Sequence, residues 1–398
     1  MVPPKARTEK RSALTVEPSD TTTAFDWIET REGLLRALDR LAKEAAVGVD
    51  LEADSLFHFQ EKVCLLQLAA TDRVFLVDPL AVDDFSPLAP LFANPDVTKV
   101  LHGSDYDLRS LDRDFGIRVG GLFDTQIAAR FLGLDETGLA NLLETRFGVH
   151  AEKKFQKKNW SVRPLPEEML RYGAQDALYL VPLHHMLREE LEELGRLSWV
   201  EEECEIQSGV RYAPPDEGPL FLRLRGAGSL DARGLSVAEE LLRFRLDAAR
   251  ERDRPPFKVL GNQTILELAR RRPTTAKELA SVPGVSKGQI RVLGSDLLRC
   301  VQGAMELPEG SLPVYPRKTF RRQAPDVIKR VRALKEWRNE RAAELGLDPA
   351  VLLTNAQIQA LSLARPTRPD ELAPIEGVRR WQQASFGREI CAVMARAR

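Results

Sequence analysis

The sequence predicts an α/β domain followed by two small all-α domains in a chain of 398 residues. Short apolar strands and helical stretches share the region from residue 25 to about 206. The next stretch, 207–231, contains Pro214-Pro215 and Gly218-Pro219, which is typical of a connection between domains. Everything beyond it is helical in pattern and duplicated. These three observations give the fold class.

Within the α/β domain, four apolar runs predict strands, and the second and third are close enough for an antiparallel hairpin around Thr71-Asp72. The predicted strands are Ala46–Leu51, Val63–Leu68, Val74–Val77 and Lys99–His102. Helical periodicity predicts helices at Glu32–Glu44, Asp107–Phe115, Thr125–Leu132, Leu139–Phe147 and Glu167 to about Leu194. A mixed sheet with an antiparallel start and helices around it should form the core.

The helical part repeats itself without a gap. A shift of 93 residues superposes Arg272-Pro273-Thr274 on Arg365-Pro366-Thr367, and Phe244-Arg245 on Trp337-Arg338. Each copy has a helix–loop–helix–helix pattern, which indicates two small helical domains. The predicted division is a disordered tail at 1–24, the α/β domain at 25–206, linkers at 207–231 and 306–324, and helical domains at 232–305 and 325–398.

Composition narrows the class of protein. No run of 18 apolar residues occurs, so we expect no membrane span, and the polar start of the chain is unlike a signal peptide. The four cysteines form no Cys-x-x-Cys pair, which argues against zinc and disulfides and favours a reduced, cytoplasmic protein. Residues 1–205 carry 24 Lys and Arg against 37 Asp and Glu, whereas residues 206–398 carry 34 against 22. This asymmetry suggests that a basic half binds a polyanion, although differently charged helices would explain it too.

Two acids lie at the end of the first predicted strand, which is otherwise apolar. Asp50 and Glu52 are two residues apart, so on a strand both side chains project from the same face. Solvated acids at a frayed strand end are an equally good interpretation of this pair alone.

Three further side chains complete a possible site. Asp107 stands where a helix begins, and Tyr172 and Asp176 are four residues apart on one helix face. Taken singly, Asp107 suits a helix cap and the other two suit an ordinary surface contact.

The combination of four acids is more informative than any one of them. Carboxylates brought together without a counter-charge repel by several kcal/mol per close pair, at an effective dielectric constant of roughly 20. Oxygen ligands favour Mg²⁺ or Mn²⁺ over zinc, and two such ions can promote phosphoryl displacement. We therefore predict two divalent ions held by Asp50, Glu52, Asp107 and Asp176, with Tyr172 orienting the attacking water.

These segments resemble the three motifs of the DEDD-type 3′–5′ exonucleases, in the subclass whose last motif is Tyr-x-x-x-Asp. Within that superfamily the chain is most similar to ribonuclease D, on account also of the segment from Lys154-Phe155-Gln156 to Trp160-Ser161-Val162-Arg163. The duplicated units resemble HRDC domains. The resemblance implies a ribonuclease H-like exonuclease domain, catalytic roles for the five residues above, and tRNA precursors as the leading RNA substrate of a monomer.

The segment before the last motif interleaves lysines with aromatic rings. Lysines can neutralise phosphates and aromatic rings can stack on unpaired bases, so Lys154, Gln156, Trp160 and Arg163 are the candidate RNA-binding residues. A lysine-rich loop anchored by a buried tryptophan is the alternative.

The predicted function is a metal-dependent 3′–5′ exoribonuclease that releases nucleoside 5′-monophosphates. No reader of the ribose 2′-hydroxyl is visible in the sequence, so a DNA exonuclease is the enzymatic alternative. The second alternative is a nucleic-acid-binding protein whose nuclease domain has lost its activity. The absence of one of the four acids would favour that alternative.

Overall fold

A six-stranded mixed sheet lies at the centre of the first domain in the computed structural model, which describes residues 24–150, 153–316 and 323–397. The strands are β1 (Phe25–Ile28), β2 (Ala46–Ala53), β3 (Val63–Ala69), β4 (Val74–Val77), β5 (Thr98–Leu101) and β6 (Leu122–Asp124), in the spatial order β1-β4-β3-β2-β5-β6. Residues 1–23 of the predicted tail and residues 317–322 of the second predicted linker lie outside the described residues.

The sheet begins antiparallel and ends parallel, as predicted. Strands β2, β3 and β4 pair antiparallel, whereas β1 pairs with β4, β5 with β2 and β6 with β5 in parallel. The hairpin around Thr71-Asp72 is confirmed, since Ala69 pairs with Val74 beside it.

Eight helices accompany the sheet in the described part of this domain. They are α1 (Arg31–Leu41), α2 (Leu88–Ala93), α3 (Asp105–Phe115), α4 (Thr125–Phe131), α5 (Leu139–Phe147), α6 (Glu167–Leu178), α7 (Leu180–Glu193) and α8 (Leu197–Ser208). The single helix predicted from Glu167 to about Leu194 is wrong, because the chain breaks at Tyr179. Pro182 explains the break, since its ring clashes with the carbonyl of residue 178 and its nitrogen cannot donate a helical hydrogen bond.

Helix α6 lies close against one face of the sheet. On β2, Val47, Val49 and Leu51 enter the main core, so the alternating residues Gly48, Asp50 and Glu52 project to the opposite face, beneath α6. A Cβ atom at Gly48 would lie 3.0 Å from the carbonyl oxygen of Ala177 on α6. Glycine therefore permits the approach that brings α6 next to Asp50.

The duplicated region is all helical where it is described. The first unit contains α9 (Ala232–Glu251), α10 (Pro256–Val259), α11 (Asn262–Arg271), α12 (Ala276–Ala280) and α13 (Lys287–Glu306), and the second contains α14 (Pro325–Leu345), α15 (Pro349–Leu352), α16 (Asn355–Ala364) and α17 (Arg380–Arg396).

The duplication extends to individual side-chain contacts. Arg245 donates to the carbonyl oxygen of Leu260 and to Asn262 Oδ1, and Arg338 donates to the carbonyl oxygen of Leu353 and to Asn355 Oδ1. The two arginines are 93 residues apart in the sequence. The sequence repeat is therefore a structural repeat.

The two helical units meet the first domain differently. The second shares one hydrophobic core with it, in which Trp381 stacks on Trp199 of α8 with ring centroids 4.7 Å apart, and Trp381 Nε1 donates to Glu203. The first unit has a separate core. Its Asp253 accepts a hydrogen bond from the backbone N–H of Phe59 and contacts His58 Nδ1 at 2.7 Å.

The stretch 207–231, predicted as a linker, contributes to packing. Phe221, Leu224 and Ala227 are buried in the core of the first helical unit. Among the helices of the described residues, none combines the length and the apolar character that crossing a bilayer requires.

Candidate active site

Asp50 and Glu52 lie on β2, just before its pairing with β3 shifts register between Glu52 and Ala53. Both side chains are half-buried on the face covered by α6. Asp50 pairs directly with Gln67 of β3, and Glu52 pairs with Leu65. The strand thus presents two carboxyl groups in a row beneath a helix, as the two-residue spacing predicts.

Asp107 lies in the first turn of α3 and is buried. The preceding loop is fixed by Asp124, whose carboxylate accepts hydrogen bonds from the backbone N–H groups of Gly103 and Ser104 and from the Ser104 hydroxyl. The same carboxylate caps α4 through the N–H groups of Gln126 and Ile127. Asp124 therefore joins the starts of two helices and sets the position of Asp107.

Tyr172 and Asp176 are one turn apart on α6 and both are buried. The tyrosine ring packs against Phe155, at 5.4 Å between centroids, and against Trp160, at 6.2 Å. Its hydroxyl lies near enough to the carboxylate of Asp176 to act on the pKa of that acid. The aromatic cluster fixes the ring, so the hydroxyl stays beside the carboxylate.

The pKa values show that these acids affect one another. The pKa of Asp50 is raised well above its ordinary value by burial and then by the charges of Asp107, Asp176 and Glu52. Burial, followed by Asp176 and Asp107, raises the pKa of Glu52 to about 9. Groups from β2, α3 and α6 therefore share one electrostatic site.

The other members of the site shift for related reasons. Burial and then Asp124 raise the pKa of Asp107 to about 7, and burial raises the pKa of Asp176 to about 6 against the opposing hydrogen bond from Tyr172. Burial and the charge of Asp176 raise the pKa of the Tyr172 phenol well above its usual range. The phenol is therefore neutral at physiological pH and can donate its proton in a hydrogen bond.

The donor set suits a hard divalent cation. All four candidate ligands are carboxylates, and their mutual repulsion is what a bound cation would relieve. Nevertheless, no three His, Cys, Asp or Glu side chains in the described ranges already stand in an arrangement that could hold a metal ion. The four carboxylates are suitable ligands for a divalent cation, and rotation of their side chains would have to bring them into its coordination shell.

The four candidate RNA-binding residues have different environments. Lys154 and Gln156 are exposed, and the Lys154 ammonium lies 4.8 Å from the centroid of the Phe155 ring and 3.7 Å from Glu168. Both side chains are accessible to a ligand.

Trp160 and Arg163 require a correction. Trp160 is 1% exposed, so its ring cannot stack on a base, and its contact with Tyr172 makes it a packing residue. The Arg163 guanidinium donates to Asp78, through Nε at 2.6 Å, and to the carbonyl oxygens of Cys64, Trp160 and Val162. These partners occupy its donors, so Arg163 anchors its own segment.

Asp124 is the functional residue that the sequence reasoning missed. The signal was present, because Leu122-Phe123-Asp124-Thr125 places an acid between an apolar pair and a helix, which is typical of an N-cap. The three-residue strand β6 is too short for periodicity to reveal it. His102, which directly follows β5, contacts the Thr125 hydroxyl at 2.9 Å and so has a structural partner.

Comparison with protein families assigns both parts of the chain. Residues 25–192 match the 3′–5′ exonuclease model, and residues 234–301 and 328–394 each match the HRDC domain. The ribonuclease D of Gluconacetobacter diazotrophicus is 32% identical over 370 residues, which cover 92% of each protein. The ribonuclease D of Escherichia coli K12 is 32% identical over 290 residues, covering 73% of this chain and 77% of that protein.

Solved structures agree with these matches. The crystal structure of E. coli RNase D, described as an exoribonuclease involved in structured RNA processing, is 28% identical with a TM-score of 0.70, covering 94% of this chain and 99% of that one. The catalytic core of RRP6 from Trypanosoma brucei, as the C496S mutant, is 32% identical with a TM-score of 0.63, covering 72% of this chain and 82% of that one.

Proposed function

Because the chain belongs to the ribonuclease D family and is a 3′–5′ exoribonuclease, we propose that it uses two Mg²⁺ or Mn²⁺ ions to release nucleoside 5′-monophosphates from RNA precursors. The 3′ ends of tRNA precursors are the leading substrate. One observation carries the proposal: α6, which bears Asp176, packs closely on the face of β2 that bears Asp50 and Glu52, and the charges of Asp107 and Asp176 raise the pKa values of those two acids.

Asp50, Glu52, Asp107 and Asp176 would hold the ions. Burial raises the pKa values of all four acids, and the charges of Asp107 and Asp176 raise those of Asp50 and Glu52 further, so the empty site resists carrying four negative charges. Bound divalent ions would supply an acidified water and stabilisation of the leaving oxygen. Once deprotonated, the four carboxylates would bind the ions.

Tyr172 would orient the attacking water. Its phenol is held neutral by burial and by the neighbouring charge of Asp176, so it acts as a hydrogen-bonding group and not as a base. The packing of Phe155 and Trp160 against its ring limits the positions that the hydroxyl can take. Tyr172→Phe should therefore lower kcat with little change in the KM for RNA.

Lys154 and Gln156 would contact the RNA close to this centre. Both are exposed and lie in the segment that packs on Tyr172 through Phe155. An ammonium group there can neutralise a backbone phosphate, which would make binding depend on salt. We also propose that the chain is a monomer in the cytoplasm, where its four free cysteines would stay reduced.

A product ladder tests the proposal. The protein is incubated with a 5′-labelled, 3′-extended tRNA in Mg²⁺ or in EDTA, with a DNA oligonucleotide of matched sequence, and the fragments are resolved at single-nucleotide spacing. We expect stepwise shortening of the RNA from its 3′ end in Mg²⁺ alone. The Asp176→Asn variant should bind the RNA and leave it intact. Faster shortening of DNA would overturn the RNA assignment, and shortening by Asp176→Asn would overturn the metal site.

A further inference from the structure

Gln67 has a buried side-chain amide that makes no hydrogen bond within the fold. It lies in the middle of β3, is 0% exposed, and is flanked by buried leucines at 66 and 68. Neither its Oε1 nor its Nε2 has a hydrogen-bond partner. Buried polar groups are paired in most structures, and an unpaired amide costs stability. A strand otherwise filled with apolar side chains therefore carries a costly group at this position.

The amide faces the candidate active site. Leu66 and Leu68 enter the main core, whereas Leu65 and Ala69 belong to the cluster beneath α6, so the alternation of the strand turns Gln67 toward α6. Gln67 is paired directly with Asp50 across the antiparallel strands. Side chains of such a pair project from the same face with their Cβ atoms about 5 Å apart.

Helix α6 closes the other side of the amide. A Cβ atom built on Gly173 would lie 3.2 Å from Gln67 Nε2, so the amide touches the helix that carries Tyr172 and Asp176. Gln67 thus lies between the strand acid Asp50 and the helix of the last motif. An unpaired donor is held where two parts of the site meet.

We propose that Gln67 is a positioning residue: its Nε2–H, unpaired in this structure, would turn to donate to the Asp50 carboxylate and hold it in the orientation that binds the divalent ions. This rests on the proposed metal site. A carboxylate offers about four lone-pair positions, so Asp50 can accept from the amide and still face a cation. In other metal sites, a residue that hydrogen-bonds to a metal ligand fixes the orientation of that ligand in the same manner.

A purely structural role for Gln67 predicts that its replacement changes the stability of the protein and leaves its affinity for metal ions unchanged. The variant Gln67→Met replaces the amide by an unbranched apolar side chain of similar length, and Gln67→Leu is a second variant with another shape. Leu68→Met is the matched control, because it lies next in the same strand and faces the other core. Each full-length protein is studied by thermal unfolding in EDTA, by Mn²⁺ titration with electron paramagnetic resonance, and by kinetics on 3′-extended RNA.

Positioning predicts that Gln67→Met unfolds in EDTA at the same temperature as the wild type or higher, while its Mn²⁺ affinity falls about 10- to 100-fold. Its kcat should fall and its KM for RNA should hardly change, whereas Leu68→Met should keep the wild-type affinity. Wild-type Mn²⁺ affinity and kcat in both Gln67 variants would overturn the inference and leave the metal site standing. A wild-type protein that binds no Mn²⁺ would overturn both.

Discussion

Gly173 lets α6 lie close enough to the sheet for its acid to meet those of β2. A Cβ atom at this position would be 2.9 Å from Leu65 Cδ2 and 3.2 Å from Gln67 Nε2. Both distances are shorter than ordinary contacts, so the variant Gly173→Ala has to move the helix or the two β3 side chains. Movement of the helix would displace Tyr172 and Asp176, which flank this position on α6, and movement of Gln67 would reach its cross-strand partner Asp50.

The expected change in stability is small because two effects oppose each other. Alanine favours a helix over glycine by about 1 kcal/mol. Overpacking a filled core costs about 1–3 kcal/mol. Gly173→Ala should therefore lower the free energy of unfolding by at most about 2 kcal/mol. Activity should suffer more, because a displacement of about 1 Å in a catalytic group can cost about 100-fold in rate.

The assay compares urea unfolding with the rate of RNA shortening in saturating Mg²⁺. Gly303→Ala is the matched control, because Gly303 is also helical and a Cβ atom there would meet nothing within 4 Å. It should gain about 0.5–1 kcal/mol of stability and keep its activity. If Gly173→Ala folds and retains activity within about twofold of the wild type, the close approach of α6 does not govern the site.

Three other perturbations test the fold around the site. Burial lowers the pKa of His184 to about 4, so between pH 6.5 and 4 the unfolded chain takes up a proton that the folded chain does not. The free energy of unfolding therefore decreases as the pH is lowered through this range. His184→Leu should lessen that decrease by about 1–2 kcal/mol at pH 5, measured by urea unfolding at pH 7.5 and 5. Trp381→Ala should cost about 3–5 kcal/mol and free the second helical unit for limited proteolysis; unchanged protease resistance would contradict the shared core. Asp253→Asn keeps a residue type that tolerates the left-handed backbone at this position. It should speed amide hydrogen exchange severalfold in residues 54–62, while α17 keeps its protection. Exchange at the wild-type rate in residues 54–62 would show that the contact with His58 does not hold this loop.

Local patterns in the sequence were enough for the larger elements of the fold. The apolar runs of β2, β3 and β4 and the period of α5 predict those elements nearly to the residue. The short elements β1, β6 and α2 were not predicted, because an aspartate lies among the few apolar residues of β1 and of β6 and a proline lies within α2, whereas the equally short β4 is entirely apolar. Pro182 indicates the helix break at Tyr179. The break was not predicted because the apolar pattern continues without interruption on both sides of it.

The candidate site was predictable only in part, for a physical reason. Spacing places Asp50 with Glu52 and Tyr172 with Asp176, because strand and helix periods are local properties. Burial depends on what the rest of the chain places nearby. The sequence therefore allowed either an accessible or a buried Trp160, and the structure shows the buried alternative. The role of Asp124 at two helix starts could not be read from its neighbours alone.

Anomalous diffraction from crystals soaked in Mn²⁺ tests the shared metal site most directly, since it locates the ions without relying on activity. We predict anomalous peaks bounded by the carboxylates of Asp50, Glu52, Asp107 and Asp176, and their loss in crystals of Asp50→Asn. Ions bound elsewhere, or ions at this place that leave either Asp50 or Asp176 without contact, would contradict the account.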